Sequence, residues 1–274
     1  MGQGKVLDHW DVPRKGYGTS SQGYLVPKRV KIIVPIPMDE AGVANRALQL
    51  PSDKIHDGIN VDFVAVPWGA ALGDSYYDTM LMDMSVFESG IKAEEEGYDA
   101  VCIDTVSDSG MYALRSRLNI PVLGPGQAAF HIACMLGHKF SVITMWDEWF
   151  HLYRKVLTEY KLDSRCASLR SINTRPDLEE LLAGKEEVIF EKLEKESLRA
   201  IHDDGADVIV LGSTTMHQSH GFLQQALPVP VINPGLMSYK LCEIFLETGL
   251  THSKTAFPAP QQPNDQFILS RVPD

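Results

Sequence analysis

The sequence predicts an α/β fold of two pseudo-symmetric lobes, each a mainly parallel sheet flanked by helices, with the site in the cleft between them. Short β-branched runs recur along the chain, each followed by a longer segment of helical periodicity, as in parallel strands joined by crossover helices. A stretch of the first half is also written again in the second. Gly97-Tyr-Asp-Ala-Val-Cys-Ile-Asp-Thr105 matches Gly205-Ala-Asp-Val-Ile-Val-Leu-Gly-Ser213, each a Gly-x-Asp turn, an apolar strand and a small hydroxyl residue. The match resumes downstream, where Pro121-Val-Leu-Gly-Pro-Gly126 mirrors Pro230-Val-Ile-Asn-Pro-Gly235.

In chain order, the β-branched runs place strands at 30–35, 61–66, 100–104, 122–123, 140–144, 168–172, 208–211 and 229–232. Helical spacing places helices at 78–96, 126–136, 151–160, 188–204 and 237–248, with Asp78 a candidate cap for the first. The segment before Arg29 carries Gly16, Gly18, Ser20, Ser21 and Gly23 and reads as a surface arm; the Pro- and Gln-rich tail after Phe257 reads as surface wrapping. The expected division is 1–125 with 236–274 in the first lobe and 126–235 in the second.

At 274 residues the chain has room for one large or two small domains. Its 44% hydrophobic and 22% charged residues are those of a self-folding globular protein. A net charge of -11 with no Lys/Arg-rich run argues against nucleic acid and anionic membranes as partners. No apolar run approaches the roughly 18–20 residues of a membrane span, and 1–28 lacks the apolar centre of a secretory signal, so a cytoplasmic address is expected. Cys102, Cys134, Cys166 and Cys242 form no C-x-x-C pair; Cys102 in an apolar strand pattern and Cys134 and Cys242 among helix-like apolar residues read as small buried hydrophobes in a reducing compartment.

Ligands of open parallel sheets bind beyond the carboxyl ends of strands, which is where Thr105 and Ser213 stand. Two such half-sites related by a pseudo-twofold axis would flank one small molecule; otherwise the pair are polar caps of strand ends.

Gly124-Pro-Gly-Gln-Ala-Ala-Phe-His-Ile-Ala-Cys-Met-Leu-Gly-His-Lys-Phe-Ser-Val-Ile-Thr144, with Gly73-Asp-Ser-Tyr-Tyr-Asp78, Ser107-Asp-Ser-Gly110 and the 205–212 strand, resembles the aspartate/glutamate/hydantoin racemase superfamily, most closely its hydantoin racemase branch. The resemblance runs from about Val30 to Leu246. It implies two pseudo-symmetric lobes around the site, no nucleotide cofactor, small carboxylate or cyclic amide substrates and a homo-oligomer. It also implies a cysteine at each of the two strand ends, one thiolate removing a proton from carbon while the opposite thiol returns one. This sequence has Thr105 and Ser213 there. An alcohol supplies no useful anion near neutrality, whereas a thiol does. The relatives' Asn-rich turn after the first strand is replaced by Pro35-Ile-Pro37-Met-Asp-Glu40, and prolines remove two amide donors there.

Ser213-Thr-Thr-Met-His217-Gln-Ser-His220 offers substitute chemistry. A helix starting just after Ser213 would put His217 and His220 on its face, opposite Asp104 and Asp108. Metal ligands His217, His220, Asp104 and Asp108 would suit zinc, manganese or cobalt with a position left for water. Without metal, His217 would act as a general base towards Ser213 or water, oriented by Asp104 or Asp108; in the plainest case both histidines only line a polar helix. Substrate contacts are expected from Pro37, Trp68, Tyr76, Ser107, Thr144, Trp146 and Thr214.

The leading expectation is a metal-assisted hydrolase of a hydantoin-like or thiohydantoin-like ring, cleaving a ring C–N bond or releasing sulfide as a desulfhydrase. The alternatives are a racemase or isomerase of hydantoins or small amino acid derivatives using His and Asp, and a non-catalytic ligand-binding relative.

Overall fold

The computed structural model describes residues 26–176 and 187–269. Most of the expected N-terminal arm and the end of the tail lie outside them. In the first lobe β1 (Lys28–Val34), β2 (Ile59–Ala65), β3 (Ala100–Ile103) and β4 (Val122–Leu123) form a sheet in the order β2-β1-β3-β4. In the second, β5 (Phe140–Thr144), β6 (Cys166–Ser171), β7 (Val208–Leu211) and β8 (Val231–Ile232) repeat it as β6-β5-β7-β8. Every pairing is parallel. β3, β5 and β7 are buried throughout, which is why β3 and β7 read as unbroken apolar runs and β5 is interrupted only by Ser141 and the terminal Thr144.

The written repeat is a repeat of hydrogen bonding. Gly97 and Gly205 both take positive φ, 81° and 74°, and the aspartates that follow two residues on serve the same end of each sheet. Asp99 accepts from the Arg29 amide at 2.9 Å, and Asp207 from the amides of His138 and Lys139 at 2.8 and 2.9 Å. At the other end Asp104 N donates to Ile33 O at 2.9 Å, as Gly212 N does to Ile143 O at 2.8 Å. Thr105 and Ser213 are therefore equivalent residues.

The helices following β4 and β8 cross between lobes. α4 (Pro125–Leu136) packs on the second sheet, Ala129, Phe130 and Ala133 sharing a core with Phe140, Val142, Val208 and Val210. α8 (Pro234–Thr248) packs on the first, Tyr239, Cys242 and Leu246 against Val30, Ile32, Ala100 and Cys102. The Gly-Pro-Gly turn before α4 is sterically required, since a Cβ on Gly126 would stand 2.2 Å from Val106 O.

The other helices are α1 (Glu40–Ala47), α2 (Tyr76–Gly90), α3 (Met111–Arg117), α5 (Phe150–Tyr160), α6 (Glu187–Asp204), α7 (Ser219–Ala226) and α9 (Asp265–Leu269). Helix 78–96 of the sequence reading stops at Gly90, because Glu94, Glu95 and Glu96 would load the negative end of the helix dipole. Helices α1, α3, α7 and α9, at 8, 7, 8 and 5 residues, are too short for a periodicity to register in the sequence.

Candidate active site

A cavity of about 690 Å³ lies between the lobes at the carboxyl ends of the central strands. Thr105, Val106 and Ser107 line it from the first lobe, and Gly212, Ser213, Thr214, Thr215 and His217 from the second. The roof comes from the loop after β1 and from α1, which begins at the Asp39 cap, whose carboxylate accepts the Gly42 amide at 2.8 Å. Leu72, Met82, Trp149 and Leu152 make an apolar wall. Trp149 Nε1 donates to Leu72 O at 2.8 Å, tying the wall together across the lobes. None of the four cysteines lines the cleft.

Beneath the cavity sits a charged network the sequence reading did not anticipate. Arg46 of α1 ion-pairs with Asp104 through Nη2 and Nε, the latter at 3.1 Å, and Nη2 also donates to Thr214 Oγ1 at 2.7 Å. Gln49 Nε2 adds a bond to Asp104 Oδ2 at 3.0 Å. Asp104 lines the cleft, and all three of these bonds fall on its Oδ2. The cue lay in Arg46 and Gln49 three residues apart, Arg46 on a helix too short to be seen and Gln49 in the turn that follows it.

His217 faces the cleft without His220. The chain after Ser213 forms a 3-10 turn, Thr214–Met216, and α7 starts only at Ser219, so the expected shared face does not form. His220 Nε2 instead bonds Val231 O at 3.0 Å. Asp108 lies under α4, accepting from the amides of Gly126 and Gln127 at 2.8 and 2.7 Å and from Tyr160 OH at 2.8 Å. Burial pushes its carboxyl up to about 6 even though those donors pull it down. The ligand set His217, His220, Asp104 and Asp108 therefore does not converge, and among the described residues no three His, Cys, Asp or Glu side chains gather where a metal would be held. The zinc, manganese or cobalt expectation is corrected on that donor geometry.

Burial lowers the His217 pKa, so its imidazole is neutral at neutral pH. Its Nδ1 lies 3.3 Å from Thr214 O; a carbonyl only accepts, so Nδ1 carries the hydrogen and Nε2 the free lone pair.

Of the other expected contacts, Pro37, Ser107 and Thr214 line the cavity. Four residues lie outside its lining. Trp68 Nε1 donates to Glu88 at 2.5 Å, Tyr76 is exposed against the His151 ring, and Trp146 lies under the Arg175 guanidinium. Thr144 is buried behind the wall, its Oγ1 2.7 Å from Tyr153 OH. Among the described residues no helix is long and apolar enough to cross a membrane.

A family model described as Asp/Glu/Hydantoin racemase matches residues 44–242. The chain is 32% identical over 191 residues to a hydantoin racemase of Pseudomonas sp. (strain NS671), covering 70% of this chain and 76% of that protein. It is 33% identical over 164 residues to a hydantoin racemase of Rhizobium meliloti, covering 60% and 66%. The structure of allantoin racemase from Klebsiella pneumoniae superposes with a TM-score of 0.78 at 27% identity, covering 86% of this chain and 95% of that one. These matches overturn the hydrolase expectation, ring cleavage and desulfhydrase chemistry alike: every relative named is a racemase. The hydrolytic reading rested on a metal-ligand set that the fold does not assemble.

Proposed function

The chain belongs to the Asp/Glu/hydantoin racemase family, and on that premise we propose that it inverts the configuration at the carbon beside a carbonyl in a hydantoin-like five-membered ring. The single observation that carries the reading is the cleft between matched strand ends, Thr105 from one lobe and Ser213 from the other, in a chain with the racemase fold. Such a ring is small and planar, and the carbon between its carbonyl and its N–H is acidified by both.

His217 is the group suited to take the proton. Its imidazole is neutral and Nε2 carries the lone pair. The C–H electron pair moves into the ring and the carbonyl π pair onto oxygen, giving a planar enolate. A water held at the Thr105 hydroxyl returns a proton to the opposite face, and once the product ring has left the cleft the hydroxide formed takes the proton from the His217 imidazolium, restoring the site. Asp104 and Thr214 act through Arg46 as positioning residues, and Ser107 and Ser213 supply hydroxyls around the ring. The homo-oligomeric state and cytoplasmic address belong to the same reading; light scattering on the purified protein and cell fractionation test them.

The deciding experiment incubates one enantiomer of a 5-monosubstituted hydantoin with the protein in deuterium oxide. Optical activity should decay faster than in the protein-free control, with one deuterium entering the ring carbon per inversion. Decay no faster than the control rules the proposal out.

A further inference from the structure

We propose that Arg46 anchors the substrate: its Nη1 donates to the carbonyl oxygen next to the reacting carbon, a hydrogen bond that strengthens as that oxygen gains charge when the proton leaves. The inference rests on the racemase reading and specifies what that reading leaves open, how the ring is held.

Arg46 is the sole arginine or lysine among the described residues lining the cleft, and it is 8% exposed. Its Nε and Nη2 are committed to Asp104 and Thr214, whereas Nη1 has no hydrogen-bond partner among the described residues. Nη1 is not sealed in either, since the enclosed side-chain polar atoms lacking partners are Ser89 Oγ and Tyr239 OH. Arg46 lines the cavity between the lobes, and an unpartnered guanidinium N–H that still meets solvent, on a side chain otherwise buried, is placed to open into it.

The surroundings fix that N–H in place. Asp104 grips the guanidinium from the first lobe, Thr214 holds it from the second, and Gln49 secures Asp104. A donor held this way costs no reorganisation as charge develops on the oxygen it faces. The need for it is local: the loop after β1 presents Pro35 and Pro37 to the cavity, and proline has no amide to offer.

Charge narrows the ligand class. Arg46 is neutralised by Asp104, and Asp39 lines the same cavity as a carboxylate not ion-paired to any other described residue. The cleft therefore carries no net positive charge to draw in a free amino acid with its carboxylate. It suits a neutral cyclic ureide or imide whose carbonyl becomes anionic only during reaction.

The test uses 5,5-dimethylhydantoin, which has the carbonyl but no proton on the neighbouring carbon, and imidazolidin-2-one, which keeps the urea and lacks that carbonyl. Calorimetry should show 5,5-dimethylhydantoin binding weakened about ten- to a hundredfold in Arg46→Lys, which keeps the charge but not the fork, the range expected for a bond from a charged donor. Arg46→Gln with Asp104→Asn, which leaves no unpaired buried ion, should lose as much. Imidazolidin-2-one should bind alike in all three proteins. In wild-type protein labelled with 15N-arginine, 5,5-dimethylhydantoin should shift the Nη signals of a single arginine, a readout that needs no variant. Affinities within twofold of wild type, equal loss of both probes, or no arginine signal moving would each overturn the anchor. Because neither probe can racemise, a protein that binds through Arg46 yet exchanges no deuterium in 5-monosubstituted hydantoins would fail the racemase reading and keep the anchor.

Discussion

Ser213 Oγ stands 2.7 Å from Thr215 Oγ1 and accepts the Thr215 amide at 3.2 Å, the arrangement that Thr105 makes with Ser107 in the other lobe, at 3.0 Å and 3.4 Å. Two hydroxyls at equivalent strand ends are thus held by equivalent turns, each within the lining of one cleft. The repeated half-unit carries this local geometry, and the side chains mounted on it decide which chemistry it serves.

If those positions are sites of proton transfer, thiols placed there should speed it. Thr105→Cys with Ser213→Cys is expected to raise the rate of deuterium entry into a 5-substituted hydantoin at pH 8 by about tenfold or more, because a thiol ionises near pH ~8.5 and an alcohol does not. Iodoacetamide should abolish the gain and leave the parent protein unchanged.

His217→Gln removes the proposed base and should slow exchange by about 10² to 10⁴-fold. In the parent protein the acid limb of kcat/KM should fall below the ordinary histidine value of 6.5, because burial lowers the His217 pKa and the imidazole must be neutral to work. A pH series of exchange rates measures both; an acid limb at or above 6.5 would assign the base elsewhere.

Asp108 should act on stability. Its carboxylate serves two α4 amides and Tyr160 at once, and an Asn offers one acceptor oxygen in place of two. Asp108→Asn should cost about 2 kcal/mol in urea unfolding at pH 7.5.

His252 sets an acid limit on the fold. Its Nε2 accepts the Val122 amide at 2.8 Å, and burial lowers its pKa from 6.5 to about 4. Below pH ~6.5 the unfolded chain takes up a proton that the native ring refuses, so stability should fall between about 6.5 and about 4, by on the order of 3 kcal/mol. His252→Asn should flatten that slope in unfolding curves taken across the window; an unchanged slope would show that other groups cause it.

The sequence on its own determined the two-lobed parallel architecture, because a β-branched run buried on both faces can be recognised without knowing its neighbours, and because Gly97–Thr105 and Gly205–Ser213 state the symmetry twice. It located Thr105, Ser213, Ser107, Thr214 and His217 beside the cleft for the same reason: strand ends and the residues just after them are local facts. Only the tertiary structure decided what those residues face. Arg46 sits on a helix too short to read, and its partners Asp104 and Thr214 are 58 and 168 residues away. The 3-10 turn after Ser213 separates His220 from His217, and the α4 amides claim Asp108. Side-chain convergence depends on distances between elements distant in sequence, and no local periodicity encodes them; that is why the metal expected from the motif dissolved, and why a cation never singled out stands under the site.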